Sequence, residues 1–223
     1  MATAKKKNEQ KGPKPYEVII GAFLSIVLGA LLAVGYLVVQ PVEEADELPA
    51  EATREARTIY FVEGETGSAV EYNWQPKYAA VEAGSSGTIS LVEQELNLWV
   101  AAAFEDLQEE VVEGFVTIVP RSLNFRIHDG EMQIASELDM SVFGMGREVI
   151  AQAYGTFVQR DGRFVFQPNR LYLGGFKVPH DRLAAFMFDQ VYAAFDITEE
   201  LVDGWTRLSD VRLEEDTLIL EIP

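Results

Sequence analysis

Catalysis at neutral pH needs a base, a nucleophile or a metal ligand, and this chain offers few arrangements of them. Its two histidines, His128 and His180, stand beside a turn and at a predicted helix start, each without a second ligand at metal-binding spacing. The serines lack the G-x-S-x-G elbow that exposes a nucleophile, and no phosphate-cradling glycine loop follows a strand; Gly144-Met-Gly146 is too short for one. Cysteine is absent, which removes disulfides and thiolate chemistry. Carboxylates abound, but turns explain Asp129 and Asp161 and a helix start explains Glu93. A glycan-acting hydrolase would need two of them roughly 5 to 10 Å apart in a cleft. The residues therefore read as non-enzymatic, with no catalytic residue, no metal and no cofactor implied.

The surplus lies in rings. Phe157, Phe164, Phe166, Phe186, Phe188, Tyr192 and Phe195 are more than one sheet face and one helix obviously need. They are either ordinary core or the wall of a groove left open for an acyl chain or another apolar ligand, and the groove is the functional expectation.

The elements that hold these rings begin with an anchor. Val18 to Val39 is a run of 22 residues without a charge, about 33 Å as helix against a hydrocarbon core of about 30 Å. A cleaved signal would have a shorter apolar region ending in a small-x-small site, and here Tyr36-Leu37-Val38-Val39 continues past Ala33-Val34-Gly35. Lys5, Lys6, Lys7, Lys11 and Lys14 precede the run, and Glu43, Glu44, Asp46 and Glu47 follow it. That lysine bias predicts a cytoplasmic N-terminus and an extracytoplasmic domain on the inner (cytoplasmic) membrane. Gly21, Ser25, Gly29 and Ala33 recur at every fourth position, a narrow face along which two copies could self-associate.

The net charge is -18, yet residues 1 to 17 hold five of the 18 basic residues and only two of the 36 acidic ones. The domain beyond the anchor is strongly acidic, which disfavours nucleic acid as a partner. The expected organisation is a basic cytoplasmic tail over 1–17, the transmembrane helix over 18–39, an acidic solvated linker over 40–57 and a domain over 58–223.

Within the domain, Ile59–Val62 and Ala69–Trp74 resemble a short hairpin. Ser90-Leu-Val-Glu93 has the pattern of a capping box, with Val92, Leu96, Trp99, Ala103 and Leu107 on one face of a helix to about residue 107. Asp129-Gly130 predicts a two-residue turn that pairs Ile127 with Met132, Phe125 with Ile134 and Leu123 with Ser136. Leu138, Met140 and Val142 extend the apolar face, with Gln133, Glu137 and Asp139 on a wet outer face. Asp161-Gly162 pairs Gln159 with Phe164, Val158 with Val165 and Phe157 with Phe166. Small residues at Ala151, Ala153 and Gly155 leave room for a helix or ligand across that end, and Gly174-Gly175 marks a bend or bulge in a further strand, Leu171–Val178. Pro179 opens a broadly apolar helix, Thr198-Glu-Glu-Leu201 starts a short third one, and a terminal hairpin turning at Glu215-Asp216 pairs Leu213 with Leu218 and Val211 with Leu220.

This order of parts, with Glu93-Gln-Glu95-Leu96-Asn97 on the capped helix, resembles the YpmS-type anchored extracytoplasmic domains and, more distantly, the tubular lipid-binding class. The resemblance implies a curved sheet around a helix and a lipid groove; the strongly acidic domain departs from what docking on anionic membranes would require. The expected fold class is α+β, an N-terminal transmembrane helix followed by a curved antiparallel β-sheet packed on two or three helices. The expected function is a single-pass envelope protein that binds lipid or another apolar ligand non-covalently. The alternative is a non-enzymatic accessory or scaffold subunit holding a second copy or a protein partner.

Overall fold

Helix α1, Pro15–Val38, begins with proline, whose missing N–H costs nothing at that position. It starts three residues before the uncharged run, with Glu17 in its first turn, where the helix dipole favours a negative charge. Its Tyr16–Val38 segment is long and apolar enough to cross a membrane. The computed structural model describes residues 14–50, 53–55, 58–68, 71–107, 111–113, 116–142, 145–192, 195 and 198–223. It divides into two units, Met1–Leu37 and Val38–Pro223.

The second unit runs β1 (Glu43–Glu44), β2 (Tyr60–Phe61), α2 (Gln75–Ala83), β3 (Gly87–Val92), α3 (Glu93–Leu107), β4 (Val111–Glu113), β5 (Val116–Pro120), β6 (Asn124–His128), β7 (Glu131–Val142), β8 (Met145–Arg160), β9 (Arg163–Leu173), β10 (Phe176–Lys177), α4 (Asp181–Tyr192), α5 (Glu199–Thr206), β11 (Asp210–Glu214) and β12 (Thr217–Ile222). Two open antiparallel sheets result, where one was expected. The larger has the order β10-β9-β8-β7-β5-β4, with β6 also on β7, and the smaller the order β11-β12-β3.

Both Asp-Gly turns form as the sequence predicts, with φ of 53° and 71° at Asp129 and Gly130 and 52° and 78° at Asp161 and Gly162. Positive φ at both central residues gives the turn twist that matches paired strands. The pairs Ile127–Met132 and Phe125–Ile134 follow, as do Phe157–Phe166 and Gln159–Phe164. The terminal hairpin pairs Leu213 with Leu218 and Val211 with Leu220, and β12 then pairs with β3.

One irregularity keeps the inner face apolar. Leu171 follows Phe166 at an odd offset, i+5, and would lie on the opposite face of a regular strand. A bulge between Tyr154 and Gly155 shifts the register, so that Phe157 meets Phe166 while Ala153 meets Leu171. Gly155 tolerates the close approach: a Cβ there would lie 2.2 Å from the Gln167 carbonyl oxygen. The bulge expected at Gly174-Gly175 is instead the turn between β9 and β10, which pairs Phe176 with Leu173.

Four further expectations change. Segment 40–57 is not spacer throughout, since Glu43–Glu44 pair in parallel with Tyr60–Phe61. The early hairpin does not form: β2 takes that partner instead, Trp74 precedes α2, and Ala69 and Val70 lie outside the described residues. Ser90 belongs to β3 rather than to a cap. The reach-back half of a capping box lies two residues on, where the Glu95 carboxylate accepts from the Val92 N–H at 3.1 Å. The outer sheet face is also not wet at Gln133, which is 2% exposed and donates to the Val62 carbonyl at 3.1 Å.

The motif Glu93-Gln-Glu95-Leu96-Asn97 gains a structural meaning. Glu93 and Asn97, four apart and so on one helix face, reach the free edge of β6. Glu93 accepts from the Ile127 N–H at 2.8 Å, while Asn97 accepts from the Phe125 N–H at 2.7 Å and donates to its carbonyl at 2.7 Å. Side chains thus do what a neighbouring strand would do for an edge.

Two outcomes follow. Asn97→Ala strips a nearly buried edge of its partners and should lower the stability of the Val38–Pro223 unit by about 2–4 kcal/mol in urea unfolding. At Glu137, burial first and then the charges of Glu148, Glu63 and Glu44 raise the carboxyl pKa above its ordinary value. The folded state then holds that proton more tightly than the unfolded chain, so stability declines as pH rises through the raised value. Glu137→Gln should raise the melting temperature at neutral pH and change it little at about pH 4.

Candidate functional site

A helix needs small partners to sit close on a sheet, and β8 supplies them. Ala151 and Ala153 are fully buried, and α4 lies over them through Ala184, Met187, Phe188, Val191 and Tyr192. The small end of the sheet is therefore covered by a helix, one of the two occupants expected. The large end leaves space. Phe157, Phe166, Phe188, Tyr192 and Phe195 line a cavity of about 530 Å³ between the two sheets, walled by all four helices of the unit. Leu220, Met132 and Leu218, 1–3% exposed, are among its deepest lining residues. Val202, 44% exposed, and Asp189, also exposed, are among those at its rim.

Two of the seven rings expected in the groove are elsewhere. Phe164 is buried in the filled core, and its carbonyl accepts from the Trp205 indole at 2.7 Å. Phe186 is 62% exposed. At about 100° per residue it lies roughly 200° around α4 from both Ala184 and Phe188, the side chains that face the sheet. The apolar face of α4 is narrower than its composition.

Ring contacts hold the walls. Trp205, Phe157, Phe166, Phe188, Tyr192 and Phe195 form one chain with successive centroids 5.6, 5.7, 5.2, 4.4 and 5.9 Å apart. Trp74, Tyr78 and Trp99 form another, with centroids 6.0 and 5.4 Å apart. Tilted and edge-on contacts between large rings add stability beyond buried area, and rings joined edge to face cannot collapse to fill the gap as flexible aliphatic chains would.

The most deeply placed polar groups on the wall have partners. Tyr192 donates to the Ile134 carbonyl at 2.7 Å, and burial pushes its phenol pKa well up. Tyr78 is raised mainly by burial as well, so both present neutral rings at physiological pH. The Glu95 carboxylate is 4% exposed and accepts from Lys77 at 2.6 Å.

Neither a family model nor a curated protein matches this chain. The geometry of the site therefore carries the functional argument.

All three tryptophans of the chain line this cavity, and sequence reasoning placed none of them there. The sequence pattern places Trp99 on a helix face packed on the sheet and Trp74 in the expected early hairpin, with no helix over Tyr78; the signal for α2 is Gln75-Pro76, proline at a helix start with rings four apart on either side of it. Trp205 lies on α5, which does begin at the predicted Thr198 cap, where the side chain accepts from the Leu201 N–H.

The remaining candidates stay single features. His128 is exposed and pairs with Asp129 of its own turn at 3.3 Å. His180 adopts φ of 69° ahead of α4. Gly144 lies outside the described residues, and among those described no group of three His, Cys, Asp or Glu side chains could hold a metal. Gly21, Ser25, Gly29 and Ala33 keep their spacing along α1, where a Cβ built at Gly21 or Gly29 meets nothing within 4 Å and the Ser25 hydroxyl donates to the Gly21 carbonyl at 2.8 Å.

Proposed function

We propose that this protein is a single-pass membrane protein whose extracytoplasmic domain binds a lipid, or another apolar molecule of similar size, reversibly and non-covalently. The observation behind the reading is the ring-walled cavity of about 530 Å³, within the roughly 300–1,000 Å³ usual for ligand pockets. Tyr192, Trp205 and Glu95 on its wall are already paired, so its affinity comes from removing apolar surface from water. At about 0.8 kcal/mol per methylene, a dozen methylenes release about 10 kcal/mol gross. Association costs of at least about 4 kcal/mol bring this to an exchanging ligand rather than a permanent one. The apolar helix Tyr16–Val38, preceded by five lysines, supports the anchor and its orientation. The resemblance to YpmS-type domains points the same way.

The tryptophans make a direct test, because each of them lines the cavity. A brominated monoacylglycerol added to the Val38–Pro223 unit should quench most tryptophan emission saturably at one-to-one stoichiometry, with the unbrominated lipid competing. Emission indifferent to the brominated lipid would sink the lipid reading and leave the scaffold one. Orientation has its own measurement: protease added to intact spheroplasts should remove the domain and leave a membrane-bound fragment, and a protected domain would overturn the topology.

A further inference from the structure

On its outer face the large sheet carries a second cavity, of about 590 Å³, with a different chemistry. Cross-strand register aligns four side chains over it in one transverse row: Arg126 opposite Gln133, Gln133 opposite Tyr154, and Tyr154 opposite Arg170. At about 4.8 Å per strand the row spans roughly 14 Å. Tyr172 stands in the next row, with its ring centroid 5.9 Å from that of Tyr154, edge to face.

The three guanidinium groups on its wall are not equivalent: Arg54 donates to the Pro49 carbonyl at 2.7 Å. Arg170 is fixed, paired with Glu131 and lying 4.7 Å over the Tyr154 ring. Arg126 forms no ion pair among the described residues, although the chain has an 18-charge acidic excess. An unpaired arginine on the wall of a cavity is a receptor for a planar anion such as a carboxylate.

Gln133 lies beneath this face: its Nε2 donates to the Val62 carbonyl at 3.1 Å, and its Oε1 is buried without a donor, as Gln152 Nε2 on the same face of the neighbouring strand is buried without an acceptor.

We propose that this outer cavity binds an acidic sugar. The carboxylate meets Arg126, and the ring lies against Tyr154 and Tyr172. An inorganic anion is too small for the volume, and a neutral sugar would leave Arg126 unpaired. The site lies on the opposite face of the sheet from the ring-walled cavity and is independent of the lipid reading.

The test uses the full chain in detergent micelles, with glucuronate, glucose and inorganic phosphate as probes in isothermal titration. Glucuronate should bind saturably, and glucose and phosphate each at least about tenfold more weakly. Arg126→Gln should weaken glucuronate about tenfold or more, and Arg126→Lys should retain the preference for glucuronate over glucose. Since every tryptophan lines the other cavity, unchanged emission certifies the fold of each variant. If Arg126→Gln perturbs the emission, Arg126→Lys and the three-probe comparison still decide. No saturable glucuronate binding, equal affinity for phosphate or glucose, or full affinity in a folded Arg126→Gln variant overturns the proposal.

Discussion

The strand register of β6 to β9 is the constraint on which both cavities depend. Side chains alternate faces with a period of two, so a slip of one residue would exchange the two faces of the sheet. In the register that forms, Met132, Ile134, Phe157 and Phe166 face the ring-walled cavity, while Arg126, Gln133, Tyr154 and Arg170 face the outer one. Two Asp-Gly turns with positive φ set that register, and the bulge beside Gly155 corrects its parity midway. The turns and the bulge together place both sets of side chains.

A second constraint is the closing of exposed backbone. β6 is too short to cover the length of β7, which β5 continues. Its outer edge is completed by Glu93 and Asn97 of α3 rather than by a strand. That bond set ties α3 to the sheet, and α3 in turn contributes Leu96 and Trp99 to the cavity wall. The edge hydrogen bonds and the pocket geometry are therefore coupled through one helix.

The ring-walled cavity persists because its walls are stiff. Aromatic side chains have few rotamers and meet here in tilted, edge-on and stacked contacts, whereas a wall of leucine and methionine would relax into the space. The only carboxylate held deep in it, Glu95, also caps α3 and pairs with Lys77, so the same contacts that start the helix keep charge from opposing an apolar guest.

The sequence alone determined what depends on neighbours in the chain: the uncharged span, the three hairpin registers and the Thr198 cap, while the helix expected to open at Pro179 begins two residues on, at Asp181, after His180 at φ 69°. Each is set by turn chemistry or periodicity within a few residues, as Asp129-Gly130 shows by fixing the partners of Phe125 and Ile127. What covers a face was decided only in three dimensions. Gln133 lies on the outer face as its parity requires and is buried there, bonded to the Val62 carbonyl from a segment far away in the chain. Phe164 and Phe186 had the composition of a groove, but one lies under a second sheet and the other on the wrong side of its helix. β3 joins β12 across most of the chain, and three tryptophans, one just ahead of α2 and one each on α3 and α5, meet at one cavity, because long-range burial selects among faces that local patterning leaves equivalent.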